Sequence, residues 1–352
     1  MNLTPGSLYF MRERDHVTGD ISAYVKIGLT RDDRTSESRK GDHQTGNPRE
    51  IIVIEELVSP AISELETQMH ARHAIDRITG EWFALNETQL TDAYLLAQKL
   101  AKNLEKHLPG LQRVEQMAAT LSTEEEIKPD STLLDIHEVY KTNAAELMAV
   151  EDELKEIKET LRDFAKNTGG INGVAGWRIS APRPKIDEKR LQNDLPEIHS
   201  KFTSSETSMA ARFTATKPRR AKSTKEKPEI EEQANPPLDR LDFFLDREES
   251  IEKLHIRHLI LLARQGELTW EKDFIETQMK VACGNAKSIE GICSWPRLEA
   301  IKTKFDKRGF TSAHPDISDS HTFTPAPTYS FIVNEFHPYP LTANALKIGG
   351  TK

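Results

Sequence analysis

The stretch Tyr24–Thr30, YVKIGLT, reads as a buried strand, yet it carries Lys26 between Val25 and Ile27. A lysine is costly to bury without a partner, so its ammonium group must reach an anion or water. Gly28 follows two residues later, and glycine lets the backbone turn or approach other groups closely. The stretch therefore predicts a strand that ends beside a cleft, with Lys26 pointing into that cleft.

The sequence around this stretch predicts an α+β domain over residues 1–110, with a small three-stranded antiparallel sheet and flanking helices. The three strands are expected at SLYFM, AYVKIGL and REIIVIEELV, and the turn signal VTGD separates the first two. Helices are expected at PAISELETQMHARHAI and at ETQLTDAYLLAQKLAKNLEKHL, the second ending at Pro109-Gly110. GEWFAL between them reads as a short strand or turn.

The rest of the chain predicts helical modules. A long helix from Leu133 to Lys166 carries a heptad seam, followed by a hairpin, and together they form an expected module at 130–216. The seam either forms a dimeric coiled coil or packs within its own domain. A linker at 217–237, a small helical domain at 238–310 and a loosely ordered tail at 311–352 complete the expected organisation, and no internal repeat is evident. The seam residues are Leu147, Val150, Leu154, Ile157, Leu161 and Phe164.

Composition limits the function classes. The formal net charge is -8, so the chain is not one that simply coats nucleic acid, and any phosphate contact must come from a local site. The two cysteines, Cys283 and Cys293, suit neither a disulfide framework nor a zinc site and favour a reduced, cytoplasmic setting. Neither a signal sequence nor a membrane-spanning run is expected.

The first hundred residues contain the groups that phosphodiester hydrolysis needs. If the first two strands pair, Tyr9 lies near Lys26, whose charge should lower the pKa of the phenol and allow it to act as a general base toward water. Arg39 precedes His43 by one helical turn, and an arginine offers a planar fork of donors to a phosphate. A helical carboxylate such as Glu66, with His70 one turn later, can hold a magnesium ion that keeps most of its waters.

These pieces, in this order, resemble the GIY-YIG nuclease superfamily. The chain is most similar to the phage and bacterial branch in which KIG replaces YIG. The matching features are SLYF, YVKIGLT, Arg39 ahead of HQTGNP, LETQMH and GEWFAL. They cover residues 7–86, and the resemblance implies a DNA endonuclease that depends on Mg²⁺ or Mn²⁺.

The resemblance also implies roles for particular residues. It implies Tyr9 as the general base or its partner, assisted by Lys26, with Arg39 on the scissile phosphate and Glu66 as the metal ligand. It implies a catalytic candidate at His70 and structural motif positions at Gly28, Glu81 and Trp82, while His43, one helical turn after Arg39, is a further catalytic candidate. The spacing after Gly28 is longer than the family pattern, which leaves Arg34 as a rival for the arginine role, and Asn86 is a candidate for the family's late asparagine.

Residues 141–213 resemble the tail segment of YqaJ-type phage recombinase exonucleases, which implies an accessory module that positions DNA or a protein partner. The linker adds candidate phosphate contacts, although a plain tether is the alternative; its cations include Lys217, Arg219, Arg220 and Lys222. The expected function is a metal-dependent endonuclease acting on DNA, in defence or phage-encoded. The alternative is a DNA-binding protein that retains the nuclease fold but is inactive, or that is activated by a partner through the helical region; a homodimer through that region is the other open assembly.

Overall fold

The computed structural model describes residues 1, 3–31, 34–218 and 238–335. Helices alternate with short sheets along these residues. The helices are α1 Ser36–Gln44, α2 Ile62–Arg72, α3 Glu87–Ala118, α4 Ser131–Ala165, α5 Glu188–Asp194, α6 Pro196–Lys201, α7 Glu249–Cys283, α8 Lys307–Ala313 and α9 Pro315–Ser320. The strands are β1 Gly6–Arg14, β2 Ile21–Arg31, β3 Glu50–Ser59, β4 Arg77–Thr79, β5 Trp82–Ala84, β6 Glu126–Ile127, β7 Gly170–Ile171, β8 Ala175–Ser180, β9 Lys185–Ile186, β10 Thr203–Ala211, β11 Thr214–Ala215, β12 Phe244–Leu245, β13 Ser288–Ile289, β14 Cys293–Ser294, β15 Arg297–Phe305, β16 Thr322–Phe323 and β17 Thr328–Val333.

The first 118 residues form the N-terminal domain around an antiparallel sheet. The three predicted strands are present as β1, β2 and β3, with β1 in the middle of the three, but β4 and β5 extend the sheet to five strands in the order β3-β1-β2-β5-β4. The mixed α+β prediction is therefore confirmed at this level, while the strand number was too small. Apolar residues of β1, β2, α2 and α3 form the core beneath the sheet, among them Phe10, Ile27, Leu65 and Leu104.

Helix α3 runs through Pro109-Gly110, where the sequence predicts its end, and continues to Ala118. A proline inside a helix removes one backbone donor and usually kinks or breaks it. Here the second half of α3 packs against α7, and a Cβ at Gly110 would lie 3.2 Å from Thr277 Cγ2. Tertiary packing along α7 therefore outweighs the local stop signal.

The C-terminal half of the chain is an internal duplication, which the sequence reading missed. Helices α4 and α7 each have 35 residues and begin 118 residues apart. The elements that follow α4 recur in the same order after α7, including two short helices at Glu188–Lys201 and Lys307–Ser320, each pair followed by two strands. We call residues 126–216 repeat 1 and residues 244–334 repeat 2.

Equivalent contacts recur in the two repeats with their roles exchanged. The Thr216 amide donates to the Ile292 carbonyl at 2.9 Å, and the Asn334 amide donates to the Val174 carbonyl at 2.8 Å. Likewise β10 pairs along its whole length with β15, while β17 pairs with β8. Each repeat thus completes the sheet of the other, and the pair has an approximate twofold relation.

The heptad seam of α4 packs within the chain, onto α7. Val150, Leu154 and Ile157 lie in one apolar cluster with Ile251 and Leu261 of α7. The two helices run in opposite directions, because two arginines of α7 pair with successively earlier glutamates of α4, Arg257 with Glu153 at 2.6 Å and Arg264 with Glu146 at 2.6 Å. Of the two arrangements left open by the sequence, the structure has the internal one.

The predicted boundaries after residue 130 need correction. Residues 130–216 and 238–310 are not separate modules, because their strands and long helices pair with each other. The predicted loose tail is ordered up to residue 335, since it forms the end of α8, α9, β16 and β17. The remainder of that tail, and linker residues 219–237, lie outside the described residues.

The N-terminal domain shares its core with α7 of repeat 2. Trp270 and Phe274 of α7 belong to the N-terminal core, and His107 of α3 stacks on Phe274 with ring centroids 4.1 Å apart. At the equivalent positions of α4, repeat 1 has Asp152 and Glu156, which are exposed. The two long helices therefore differ in side-chain type at these positions: α7 has aromatic residues that pack into the N-terminal core, and α4 has acidic residues that are exposed to solvent.

Among the helices within the described ranges, none has the length and apolar character needed to cross a membrane.

Candidate active site

Tyr9 and Gly28 face each other across the first hairpin. In the β1–β2 ladder Tyr9 pairs with Gly28, and Met11 pairs with Lys26. The Tyr9 ring lies over Gly28 so closely that a Cβ at this position would be 2.5 Å from the phenol oxygen. Gly28 is thus needed for the close approach of the tyrosine, and Tyr9 and Lys26 lie on one face of the sheet, as the hairpin predicts.

The Tyr9 phenol is bonded to a histidine. Its oxygen lies 3.2 Å from His43 Nε2, and the ring itself is fully buried. Burial raises the pKa of Tyr9, and the neighbouring Arg39 guanidinium offsets only part of that rise. The expectation that Lys26 lowers the pKa of this phenol is therefore wrong. Burial, together with the charges of Lys26 and Arg39, lowers the pKa of His43, so this histidine is neutral near pH 7.

Arg39 rather than Arg34 faces the tyrosine. Helix α1 begins at the N-cap Thr35, whose side chain accepts from the Ser38 amide, and this sets which side chains turn inward. A hydrogen bond with Tyr9 raises the pKa of Arg39, whereas Arg34 pairs with Asp42 at 2.6 Å and with Ser38. Of the two arginine candidates, Arg39 is the one beside the phenol.

Lys26 has a specific partner, Glu81. The ammonium group is buried and forms an ion pair with the Glu81 carboxylate, and it lies 5.9 Å from the centre of the Trp82 ring. Burial alone would raise the pKa of Glu81, but the hydrogen bond and charge of Lys26 outweigh it, and the net pKa is lowered. Glu81 is therefore a charged member of the site, although the sequence indicated a structural position. Its neighbour Trp82 pairs with Lys26 in the β2–β5 ladder and helps to bury it.

Glu66 enters the same site from α2. Burial and the nearby charge of Glu81 raise the pKa of Glu66 to about 7, against the opposing effects of Lys26, the Leu29 amide and Arg39. This carboxylate therefore lies where negative charge is not fully compensated, which is an environment that a divalent cation stabilises.

The donor set fits a magnesium or manganese ion that keeps most of its waters. Within residues 1, 3–31, 34–218 and 238–335, no three His, Cys, Asp or Glu side chains are grouped so that they could hold a metal. A single carboxylate with water ligands suits Mg²⁺, whereas zinc requires three or four protein ligands. Glu66 is the residue that would hold the ion.

Two other candidates have structural partners. His70 Nε2 lies 2.8 Å from the Ile27 carbonyl, so His70 ties α2 to β2, and its ring lies tilted against the Phe83 ring with centroids 5.3 Å apart. Burial lowers the pKa of His70. Asn86 is the N-cap of α3, where it forms a reciprocal capping box with Gln89.

Of the linker cations expected to contact phosphate, Lys217 lies within the described residues. Lys217 is exposed and lies two residues after the end of β11. Arg219, Arg220 and Lys222 lie outside the described residues.

The site thus gathers Tyr9 from β1, Lys26 from β2, Arg39 and His43 from α1, Glu66 from α2 and Glu81 from the turn before β5. Comparison of the chain with protein-family models, curated proteins and solved structures gives no match.

Proposed function

We propose that the N-terminal domain is a metal-dependent endonuclease of the GIY-YIG type that hydrolyses DNA phosphodiester bonds. One observation carries the proposal. Groups from separate segments of the first 81 residues converge on one face of a small sheet, and together they offer a base, two cations and a metal-binding carboxylate. These are groups that can together promote hydrolysis of a phosphodiester.

The base is the Tyr9–His43 pair rather than a phenolate. A water molecule beside Tyr9 would give its proton to the phenol oxygen while the phenol gives its own proton to neutral His43 Nε2, which lies 3.2 Å away. The lowered pKa of His43 keeps it unprotonated and ready to accept near neutral pH. No tyrosinate has to form first, which agrees with the raised pKa of Tyr9.

Arg39 and Lys26 have different roles: Arg39 would bind the phosphate, and Lys26 keeps Glu81 charged. The Arg39 guanidinium lies beside the Tyr9 phenol, where it can donate to a non-bridging phosphate oxygen next to the attacking water. Lys26 holds Glu81 as a carboxylate, and Glu81 in turn keeps negative charge close to Glu66. A magnesium or manganese ion on Glu66 would supply charge stabilisation for the phosphoryl and leaving oxygens. His70 positions α2 through the Ile27 carbonyl.

The test is cleavage of supercoiled plasmid by the full chain in Mg²⁺ and in EDTA. Glu66→Gln keeps the size of the side chain and removes its charge, so we expect cleavage to fall at least about 100-fold. Glu105→Gln, on an exposed position of α3, is the matched control and should cleave normally.

Equal cleavage by Glu66→Gln and the unchanged protein would contradict the proposed site. If the unchanged protein binds DNA without cutting it in Mg²⁺, the alternative of an inactive or partner-activated DNA-binding protein replaces the nuclease.

A further inference from the structure

A cleft of about 310 Å³ lies between the C-terminal half of α4 and β8 of repeat 1 and the strand β17 of repeat 2. Trp177 pairs with Phe331 and Ile179 with Tyr329 in the ladder of these strands, so the four side chains lie on one face. The Trp177 ring meets Phe331 edge-on at 5.5 Å, which fixes its orientation. Tyr329 is 37% exposed and Ile179 is 43% exposed, so the face is only partly covered.

Three cations of α4 line the opposite wall of this cleft. They are Lys155, Lys158 and Arg162, and one acid, Glu159, lies among them and pairs with Lys155 at 3.8 Å. Lys158 and Arg162 form no ion pair within the part of the chain that the structure describes. The cleft therefore combines an aromatic floor with two positive charges, Lys158 and Arg162, that have no ion-pair partner among the described residues.

Repeat 2 provides an internal control for these charges. The positions that correspond to Lys155 and Lys158 are Asp273 and Glu276, so the fold itself does not require cations there. The corresponding region around α7 also contains a cleft of about 310 Å³, but Leu111 and Val114 of α3 form part of its wall.

The third position keeps a cation in repeat 2, and that cation contacts an aromatic ring. Lys280 corresponds to Arg162, and its ammonium group lies over the Phe213 ring, 4.6 Å from the ring centre. The cations thus line the cleft at α4, and acids replace two of them at α7, where α3 borders the corresponding cleft.

We propose that the cleft between α4, β8 and β17 binds single-stranded nucleic acid. An unpaired base can stack on the Tyr329 and Trp177 rings while its phosphates contact Lys158 and Arg162, which is how many single-strand binding grooves work. Bases within a duplex are stacked on each other and cannot reach such a floor. The cation excess also argues against a neutral apolar peptide as the occupant. This site lies on a different part of the chain from the proposed nuclease centre and does not depend on cleavage.

The experiment measures binding of a fluorescent oligothymidylate to the full chain in EDTA, by anisotropy over a series of salt concentrations. The double variant Lys158→Glu/Arg162→Glu should bind at least about tenfold more weakly, with a salt slope reduced by about 1.4, since each phosphate contact of a single strand contributes about 0.7. Tyr329→Ala should weaken binding about fivefold or more at unchanged charge, and Tyr329→Phe should restore it. The matched control is Lys128→Glu/Lys141→Glu, which makes the same charge change near the other end of α4 and should bind normally.

Two results would overturn the proposal. One is equal weakening by both double variants, which would show a general charge effect instead of a site. The other is full binding by Tyr329→Ala together with equal affinity for a duplex of the same length. Because the readout is binding in EDTA, neither result bears on the cleavage proposal.

Discussion

Glu66 is a carboxyl group that burial and a neighbouring acid keep partly protonated. In the unfolded chain a glutamate loses its proton near pH 4.5, whereas in the folded protein without metal the pKa of Glu66 is about 7. The folded state therefore holds a proton that the unfolded state has already released between these two values. The stabilising effect of this proton is complete below about pH 4.5 and is lost as the pH rises through about 7.

Glu66→Gln should accordingly stabilise the metal-free protein at alkaline pH. Glutamine cannot ionise, so at pH 8 in EDTA we expect a gain of up to about 3 kcal/mol in the free energy of unfolding, and almost none at pH 4.5. Urea unfolding at the two pH values measures this difference, with Glu105→Gln as control. A loss of stability at pH 8 would mean that the Glu66 carboxylate is not under electrostatic strain.

Several members of the candidate site could be predicted from the sequence, because each side chain sits at a recognisable place in a strand or helix. Tyr9, Gly28, Arg39 and Glu66 are the candidates selected in this way. The ion pair between Lys26 and Glu81 was not, because the two residues are 55 positions apart and only the β2–β5 pairing brings them together.

At the scale of elements, local pattern predicted where strands and helices form better than where they end. The β-branched run of β3 and the apolar periodicity of α2 are local signals, and both elements are present. The continuation of α3 past Pro109 depends on α7, which lies more than 130 residues later, so no local signal could indicate it. The interface between α3 and α7 decides this feature.

The two long helices allow that interface to be tested with an internal control. Phe274→Ala removes a buried ring between α3 and α7 and should cost about 3–5 kcal/mol of unfolding free energy. Glu156→Ala changes the equivalent, exposed position of α4 and should stay within about 0.5 kcal/mol of the unchanged protein. Denaturant unfolding of the two variants provides the comparison, and similar losses would show that the domain does not depend on α7.

At the scale of the whole molecule, the duplication escaped notice because few identities mark it. The clearest pair is IDEKRLQNDLPEI at residues 186–198 and FDKRGFTSAHPDI at 305–317, which keep an aspartate, a proline and an isoleucine. Both aspartates cap a short helix, Asp187 for Arg190 and Asp306 for Gly309. The exchanged strands, by contrast, follow only from the pairing of distant segments, which a linear pattern does not contain.

Strand exchange predicts that the chain survives a cut in its linker. If a protease site is introduced between residues 222 and 232 and cleaved, the two fragments should co-elute on gel filtration, because β10–β15, β8–β17 and α4–α7 still join them. Residues 1–218 produced alone should aggregate, since the seam of α4 would be uncovered. Separation of the cut fragments without denaturant would contradict the exchanged arrangement.

The mutual completion of the two repeats also sets the order of events during synthesis. The α4 seam leaves the ribosome with Phe164, but its last covering strand, β17, is finished only at Val333. At translation speeds of about 5–20 residues per second, the nascent chain keeps this apolar surface open for roughly 10–30 s. The N-terminal domain, although made first, gains the α7 surface beneath it only after residue 283 has emerged. The N-terminal domain is thus made first but packs on α7 late in synthesis. A chaperone that binds exposed apolar surface would act in the interval before β17 is complete.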